Sequence, residues 1–347
     1  MDLTGENYVI ARNGLKALTQ PALLTSGLRA LVKALGLHGS ITHDDVAYSI
    51  GPCLNAVSRL DDVGAVKGVE LLMFNGPDSE AAEMAKFAIS QNETRKVLVA
   101  DAIAKALDYI DAAGVQAECP LLVRLENCHE GIIGIIAGKL ADQFKVPVCV
   151  LAPVQSDGMN LLRGSMRTCG NYNVIENLTK CTALLYRFGG HPGAGGLSLI
   201  EDNFQAVHDA LQANLDGYIS NENADTCHYD LEINADQDVI FDTLCDLRKY
   251  GPFGQGNPEP VFLVKGVQPL ADRNGHYHTV IGKKGTTVKI KALGYDAIAF
   301  DGVSIFSDIP DNDQPLDMIG KLSDNVYNGN TTHQINVIDV RPSLSIT

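Results

Sequence analysis

The sequence contains no apolar run approaching the roughly 20 residues that a membrane-spanning helix requires. Its start, Met1-Asp2-Leu3-Thr4-Gly5-Glu6, has neither the basic opening nor the apolar stretch of a secretory signal. The expectation is a cytoplasmic protein with no membrane partner. No C-x-x-C pair occurs among the 8 cysteines, and several sit in apolar surroundings, as Cys149 does between Val148 and Val150. Cysteine acts there as a small hydrophobe, so a thiolate zinc site is not expected. There is no internal repeat and no low-complexity tract. Basic residues are also scarce: 27 Lys and Arg stand against 42 Asp and Glu, a formal net charge of −15. Phosphate repels such a chain at long range, so any nucleic-acid binding must rest on local clusters of positive charge.

What is present is ordinary globular material, 45% hydrophobic and 20% charged over 347 residues, long enough for two or three domains. Leu23, Leu24, Leu28, Leu31 and Leu35 recur at helical spacing before Gly36. A second helical pattern runs from Pro77 to beyond Ala106, with Ala82, Ala85, Ala88 and Ile89 on one face, and reads as a long connecting helix. From Pro120 the rhythm becomes β-α-β: a strand over Leu121 to Leu125, a helix over Gly131 to Phe144, a strand over Val146 to Leu151. A further helix is expected from Asn173, with Val174, Leu178, Cys181, Leu185 and Phe188 on one stripe and Gly189-Gly190 as its C-cap. Leu197 to Ile200 returns as a strand. The polar stretch between Gly217 and Asp230 marks a domain boundary. Short strand candidates follow at Val261–Val264, Val280–Ile281, Val288–Ile290, Ile298–Phe300 and Ile335–Val340, the pattern of a small β-barrel.

Five constellations carry chemistry. In Gly51-Pro52-Cys53-Leu54-Asn55-Ala56-Val57-Ser58-Arg59-Leu60, Asn55 and Arg59 fall on one helical face, an amide and a guanidinium suited to phosphate oxygens. A helix start with a surface Arg59–Asp62 pair fits the same spacing. In His129-Glu130-Gly131-Ile132-Ile133-Gly134, Gly131, Gly134 and Gly138 share a face, so either a backbone or a ligand packs closely. Free N–H groups at that helix start favour an anion. In Arg163-Gly164-Ser165-Met166-Arg167, an extended chain puts Ser165 and Arg167 on one side, a hydroxyl and a donor fork for one terminal phosphate, with Gly164 admitting close approach. A solvated loop is the alternative. Phe188-Gly189-Gly190-His191-Pro192-Gly193-Ala194-Gly195-Gly196 sets one histidine among five glycines, which suits a loop approaching a ligand and an imidazole donating to phosphate. Tyr250 to Pro260 reads as a rigid turn serving structure. Thr287-Val288-Lys289-Ile290-Lys291 alternates strictly, and with Lys283 and Lys284 it supplies a basic strand face. A solvated face is the alternative there.

In order and spacing these motifs resemble the RecJ family, single-strand-specific 5′→3′ DNA exonucleases of the DHH phosphoesterase superfamily, over nearly the whole chain. The resemblance rests on Gly5-Glu6-Asn7, Gly51-Pro52-x-Leu54-Asn55-Ala56-x-x-Arg59, His129-x-Gly131-Ile132-Ile133-Gly134, Gly164-Ser165-x-Arg167, Gly189-Gly190-His191 and Pro252-Phe253-Gly254-x-Gly256-Asn257-Pro258-Glu259-Pro260. It implies an α/β DHHA1-like domain preceded by a helical linker region and followed by an OB-fold β-barrel. Residues 1–96 would be the end of a DHH domain with the start of the connecting helix, 97–220 the DHHA1-like domain, and 221–347 the OB-fold. By the same resemblance, Asn55, Arg59 and His191 would be catalytic, and Gly164, Ser165, Arg167, Gly189 and Gly190 would hold the 5′ phosphate. Lys283, Lys284, Lys289 and Lys291 would guide single-stranded DNA. The cofactor implied is Mn²⁺ or Mg²⁺.

The departures from the family concern the metal. No Asp-His-His triplet occurs; the closest string is His43-Asp44-Asp45, in the wrong place. Ser58 stands where the family usually has Gly, and Cys53 where it often has a basic residue. Two-metal hydrolysis needs several carboxylate and imidazole ligands holding two ions about 3.5–4 Å apart, a set that Asn, Arg, Ser and one His cannot supply. The expectation is a substrate-binding portion that needs a separate DHH polypeptide for cleavage. The alternatives are a single-strand DNA-binding scaffold without nuclease chemistry, or a phosphoesterase on short oligonucleotides or cyclic dinucleotides, against which the expected barrel argues. No oligomeric state follows from the sequence.

Overall fold

The computed structural model describes residues 1–39, 41–60, 64–115, 118–156, 158–215, 218–219, 226–282, 285–300, 302–327 and 330–343. The chain divides into two compact units, Met1–Lys16 with Asp225–Thr347, and Ala17–Ala224. Among the described residues no helix is long and apolar enough to cross a membrane.

Helix α1 (Gly5–Leu18) buries no side chain. The unit from Ala17 onward begins with α2 (Ser26–Ala34), capped by the Thr25 hydroxyl, which accepts from the Leu28 N–H. Then come α3 (His43–Asp45), a π-type turn over Val46–Ile50, α4 (Gly51–Leu60) and α5 (Gly64–Met73). Helix α6 (Asp78–Ala113) has 36 residues, which at 1.5 Å per residue makes it about 54 Å long. Its buried positions, Ala81, Ala85, Ala88, Asn92, Val99, Ala102, Ala106 and Ile110, step by three, four or seven and hold one face throughout. The first half of that face packs with Leu31, Cys53, Val57 and Leu71. The second half packs with Leu121, Val123, Ile136 and Val150. One helix is therefore shared by two successive cores, and it stops where Gly114 takes a left-handed φ of 68°.

The α/β part follows as β1 (Leu121–Arg124), α7 (Ile133–Phe144), β2 (Val148–Ser156), β3 (Met159–Arg167), α8 (Val174–Lys180), β4 (Arg187–His191), β5 (Ala194–Ile200) and α9 (Phe204–Ala213). The sheet order is β1-β2-β3-β5-β4, parallel only between β1 and β2, where α7 makes the crossover. Helices α6 and α7 cover one face over β1 and β2. Helices α8 and α9 cover the other, against Leu162, Met166, Leu197 and Leu199. Beyond α7 the first face runs on over β3, β5 and β4, and there it lies open.

The expected helix from Asn173 to Phe188 is not formed as such. Helix α8 ends at Lys180, a 3-10 turn covers Thr182–Leu184, and Arg187–His191 is the edge strand β4. Pairing with β5 decides the matter, because Phe188 faces Leu197 and Gly189 faces Gly196 in register. Gly189-Gly190 is therefore ladder and not a helix cap.

The other unit contains β6 (Leu231–Asn234), α10 (Gln237–Tyr250), β7 (Phe262–Val267), β8 (His278–Ile281), β9 (Thr287–Ala292), β10 (Tyr295–Ala299), α11 (Gly302–Ile305), β11 (Leu316–Tyr327) and β12 (Asn330–Pro342). Its seven strands run β6-β7-β11-β12-β10-β9-β8. The expected barrel is not closed: among the described residues the edge strands β6 and β8 do not pair with each other. Phe262, Val264, Met318, Ile335 and Ile290 form its core, with Ile240, Leu244 and Leu247 of α10 packed on it. The rigid turn before β7 holds as expected, with Asn257 Nδ2 donating to the carbonyls of Tyr250 and Pro252. Tyr8 of α1 donates to the Gly251 carbonyl at 2.9 Å.

Candidate phosphate-binding cleft

The open face of the five-stranded sheet is the floor of a cleft of about 810 Å³. Antiparallel partners directly opposite each other point the same way, and so do residues two apart on a strand. The register therefore lays three rows across β3, β5 and β4: Arg163–Ser198–Arg187, Ser165–Gly196–Gly189 and Arg167–Ala194–His191. The first helical residues of α7 and the end of α4 form the wall, bringing Gly131, Ile133, Gly134, Ser58 and Arg59 to the same cleft.

Ser165 and Arg167 do share a side, on a strand and not in a solvated loop. Arg167 Nη1 donates to Ser165 Oγ at 2.8 Å and to the Met166 carbonyl at 2.9 Å. Arg59 Nη1 donates to the Gly131 carbonyl at 3.0 Å. Burial first, and then the charge of Arg59, lower the pKa of Arg167 below the ordinary guanidinium value. Two cations thus converge on half-buried ground with donors left over, an arrangement that an anion relieves. Two glycines make the approach possible. A Cβ on Gly131 would lie 1.9 Å from the Arg59 carbonyl oxygen, and one on Gly134 would lie 2.7 Å from Arg167 Nη2 and 3.1 Å from Ser165 Oγ. Gly138 has nothing within 4 Å. The close packing read from these glycines is therefore real at two of the three positions.

Other expected residues lie elsewhere. Asn55 is exposed, one turn before Arg59, and does not line the cleft. His191 is exposed at the hairpin end, on the same face as Arg167 but outside the cleft lining. Its Nδ1 accepts from the Gly193 N–H at 3.2 Å, so the neutral ring carries its proton on Nε2. Gly164 is buried, and a Cβ there would meet Leu197 and Leu151 side chains at 2.9 and 3.0 Å, so its Cβ side faces the core while the residue lines the cleft. Gly190 has φ 153° and its Cβ would strike the Ala194 carbonyl oxygen, a requirement of the hairpin itself. Of the expected phosphate-binding glycines, Gly164 and Gly189 line the cleft and Gly190 does not.

Lys283 and Lys284 lie outside the described residues. On β9, Val288 and Ile290 face inward as read, but Lys289 Nζ is held by Asp296 Oδ2 at 2.6 Å. Of the two described lysines on that strand only Lys291 is exposed. The basic face is weaker than its sequence suggests.

The sequence reading missed Arg187 and Ser198, and gave no role to Glu130 and Arg163, which form an ion pair at the rim. Alternation was the available signal, since Arg187 and Gly189, or Ser198 and Gly196, share a face only in extended chain. The helical stripe through Phe188 concealed it. Among the described residues four guanidinium groups (Arg59, Arg163, Arg167 and Arg187) line the cleft against one carboxylate, Glu130. In a protein of net charge −15 this is the local cluster that anion binding demands.

The cleft residues do not fit a divalent metal. Among the described residues no group of three or more His, Cys, Asp or Glu side chains could hold an ion, and Glu130 is engaged by Arg163.

Comparison with known proteins bears on the same region. The DHHA1 domain family matches residues 119–217 and the RecJ OB domain family matches residues 229–339. The single-stranded-DNA-specific exonuclease RecJ of Bacillus subtilis is 28% identical over 348 residues, covering 98% of this chain and 42% of that protein. The protein of the same description from Thermus thermophilus is 27% identical over 341 residues, covering 98% of this chain and 46% of its own. The crystal structure of RecJ in complex with Mg²⁺ from Thermus thermophilus superposes with a TM-score of 0.77 at 25% identity, over 99% of this chain and 50% of that one. The chain thus spans about half the length of the relatives it matches.

Proposed function

Because the chain corresponds to a RecJ-type carboxy-terminal portion, we propose that it grips the 5′ end of single-stranded DNA for a 5′→3′ exonuclease. In this reading Ser165, Arg167 and Arg59 hold the terminal phosphate, assisted by the N–H groups that open α7. His191 and Asn55 lie near the reacting phosphate only once a further domain closes over the sheet. The Mn²⁺ or Mg²⁺ centre comes from a separate DHH polypeptide outside these 347 residues. Lys291 and the sheet of the other unit guide the strand. The single observation that supports the reading is the Ser165–Arg167–Arg59 convergence, with spare donors beside a helix start.

The test is binding without cleavage. A labelled oligothymidylate is titrated with the chain in the presence of EDTA, bearing either a 5′-phosphate or a 5′-hydroxyl. A preference of about tenfold or more for the phosphate is expected, from charge-assisted hydrogen bonds of about 1.5–3 kcal/mol. Equal affinity for the two ends sinks the reading. Adding a DHH polypeptide and Mn²⁺ should convert binding into digestion, which the chain with Mn²⁺ alone should not achieve.

A further inference from the structure

We propose that helix α5 is the docking surface for the metal-bearing polypeptide on which the reading above depends, and that Val66, Val69 and Met73 are its contact residues.

The helix sequence carries the first part of the case. Among the 10 residues of Gly64–Met73 only Lys67 and Glu70 are charged. A helix that is apolar all round belongs in an interior. One side meets that requirement: Gly64, Gly68 and Leu71 are buried. Gly64 lies so close to α4 that a Cβ there would stand 1.8 Å from the Val57 carbonyl oxygen. The opposite side is bare. At about 100° per residue, Val66, Val69 and Met73 fall within an arc of about 60° that faces away from the buried stripe. They are 56%, 60% and 73% exposed. Single apolar residues on a surface are ordinary, but three together on one helix face mark an interaction site.

A recess adjoins this ridge. Between α5 and α6 lies a cavity of about 320 Å³, lined by Leu71, Met84 and Phe87 with Lys67 and Glu83 beside them. Lys67 Nζ stands 4.9 Å from the centre of the Phe87 ring. The surface therefore offers a ridge of aliphatic side chains and a recess that admits an apolar side chain from a partner.

Two observations select the occupant. This chain covers 42% and 46% of the Bacillus subtilis and Thermus thermophilus exonucleases, so more than half of each lies outside it and is available to cover such a face. Position agrees with this. Helix α5 packs on α4, whose Ser58 and Arg59 line the phosphate cleft. A polypeptide seated on α5 stands one helix diameter, about 10 Å, from the cleft wall, where the reading above requires the metal. A second copy of this chain fits less well. It adds another charge of −15, and two convex ridges meeting along one line bury far less than the roughly 1,200 Å² of a stable interface.

The probe is the part of the Bacillus subtilis exonuclease that this chain does not cover, titrated onto the whole chain by calorimetry without DNA or metal. A complex is expected. Its contact is apolar, so raising salt from about 0.1 to about 1 M should leave the affinity unchanged or improve it, whereas strand binding falls. Val69→Glu should weaken the complex about tenfold, and Val66→Glu with Met73→Glu about a hundredfold, through the loss of one and two buried apolar side chains. The Tm of the chain alone and its preference for a 5′-phosphate should not move. Val97→Glu, at an exposed but solitary apolar residue of α6, should leave the complex intact. Absence of a complex, a complex that survives all three α5 substitutions, or self-association of the chain through α5 in its place overturns the docking surface and leaves the phosphate preference standing. Loss of that preference in the unaltered chain, measured in EDTA without the polypeptide, overturns the earlier reading by itself.

Discussion

Arg167 reaches back along its own strand to donate to the Ser165 hydroxyl at 2.8 Å, which fixes a long side chain over an otherwise bare sheet face. The bond needs extended backbone, since only a two-residue period brings positions 165 and 167 to one side. It also needs Gly134, because any larger residue there would occupy the space of the guanidinium.

Removing that guanidinium should cost specificity before it costs stability. Arg167→Ala is expected to weaken binding of 5′-phosphorylated strands roughly tenfold to a hundredfold, from a charge-assisted bond of about 1.5–3 kcal/mol. Binding of 5′-hydroxyl strands should change little. Arg167→Lys should restore only part of the loss, because an ammonium cannot reproduce the planar donor fork. Anisotropy titrations on the two strands check this, and a parallel loss on both would contradict it.

Gly134→Ala and Gly131→Ala should separate function from folding. Alanine favours a helix interior over glycine by about 1 kcal/mol, and at 134 the atoms displaced belong to the movable ends of Arg167 and Ser165. Tm should hold or rise while 5′-phosphate affinity falls severalfold. At 131 the obstacle is the backbone oxygen of Arg59 at 1.9 Å, so that variant should lower Tm as well. Thermal melts beside the binding assay distinguish the two.

Salt should report how many phosphates the cleft engages. For single strands, log K falls with log salt by about 0.7 per phosphate neutralised. Arg167→Ala should therefore reduce the slope by about 0.7 to 1. An unchanged slope would mean that Arg167 touches no phosphate.

On β9, Lys291→Ala should weaken strand binding more than Lys289→Ala. Lys289 is already neutralised by Asp296 at 2.6 Å, so its charge is largely spent within the protein. Filter binding of a strand of about 20 nucleotides at low salt can rank the two variants, and the reverse order would refute the assignment.

A pH effect should reside in α9, away from the cleft. Burial alone would lower the pKa of His208, but the hydrogen bonds its ring donates to Glu118 and Asp209 outweigh burial and raise it above the ordinary 6.5. A raised folded-state value means that the stabilisation is complete below about pH 6.5 and is lost as pH climbs through the folded value. Tm measured at pH 6 should exceed that at pH 8 by more in the unaltered chain than in His208→Gln. Equal differences would show that the cluster contributes nothing.

Much of the architecture is legible in the residues alone. The helical recurrence of Ala82, Ala85, Ala88 and Ile89 announces α6, although the buried face runs through Ala81 and not Ala82, and the change at Pro120 announces the β-α-β start, because both are local patterns. The stripe from Val174 to Phe188 misleads for a physical reason. Leu185 and Phe188 fall at helical spacing, yet pairing with β5 places Arg187–His191 in the sheet instead. Edge pairing is non-local, and local periodicity does not contain it.

The same division holds at the site. Sequence by itself settled the scarcity of positive charge, the missing Asp-His-His triplet, and the hydroxyl and guanidinium two residues apart, since each is a property of neighbouring residues. Only the tertiary structure decided that Arg59 meets Arg167, that Asn55 and His191 stand outside the cleft, and that Arg187 and Ser198 belong to it. Those relations depend on strand register and on two glycines that let α4 and α7 approach the sheet, distances fixed between segments far apart in the chain.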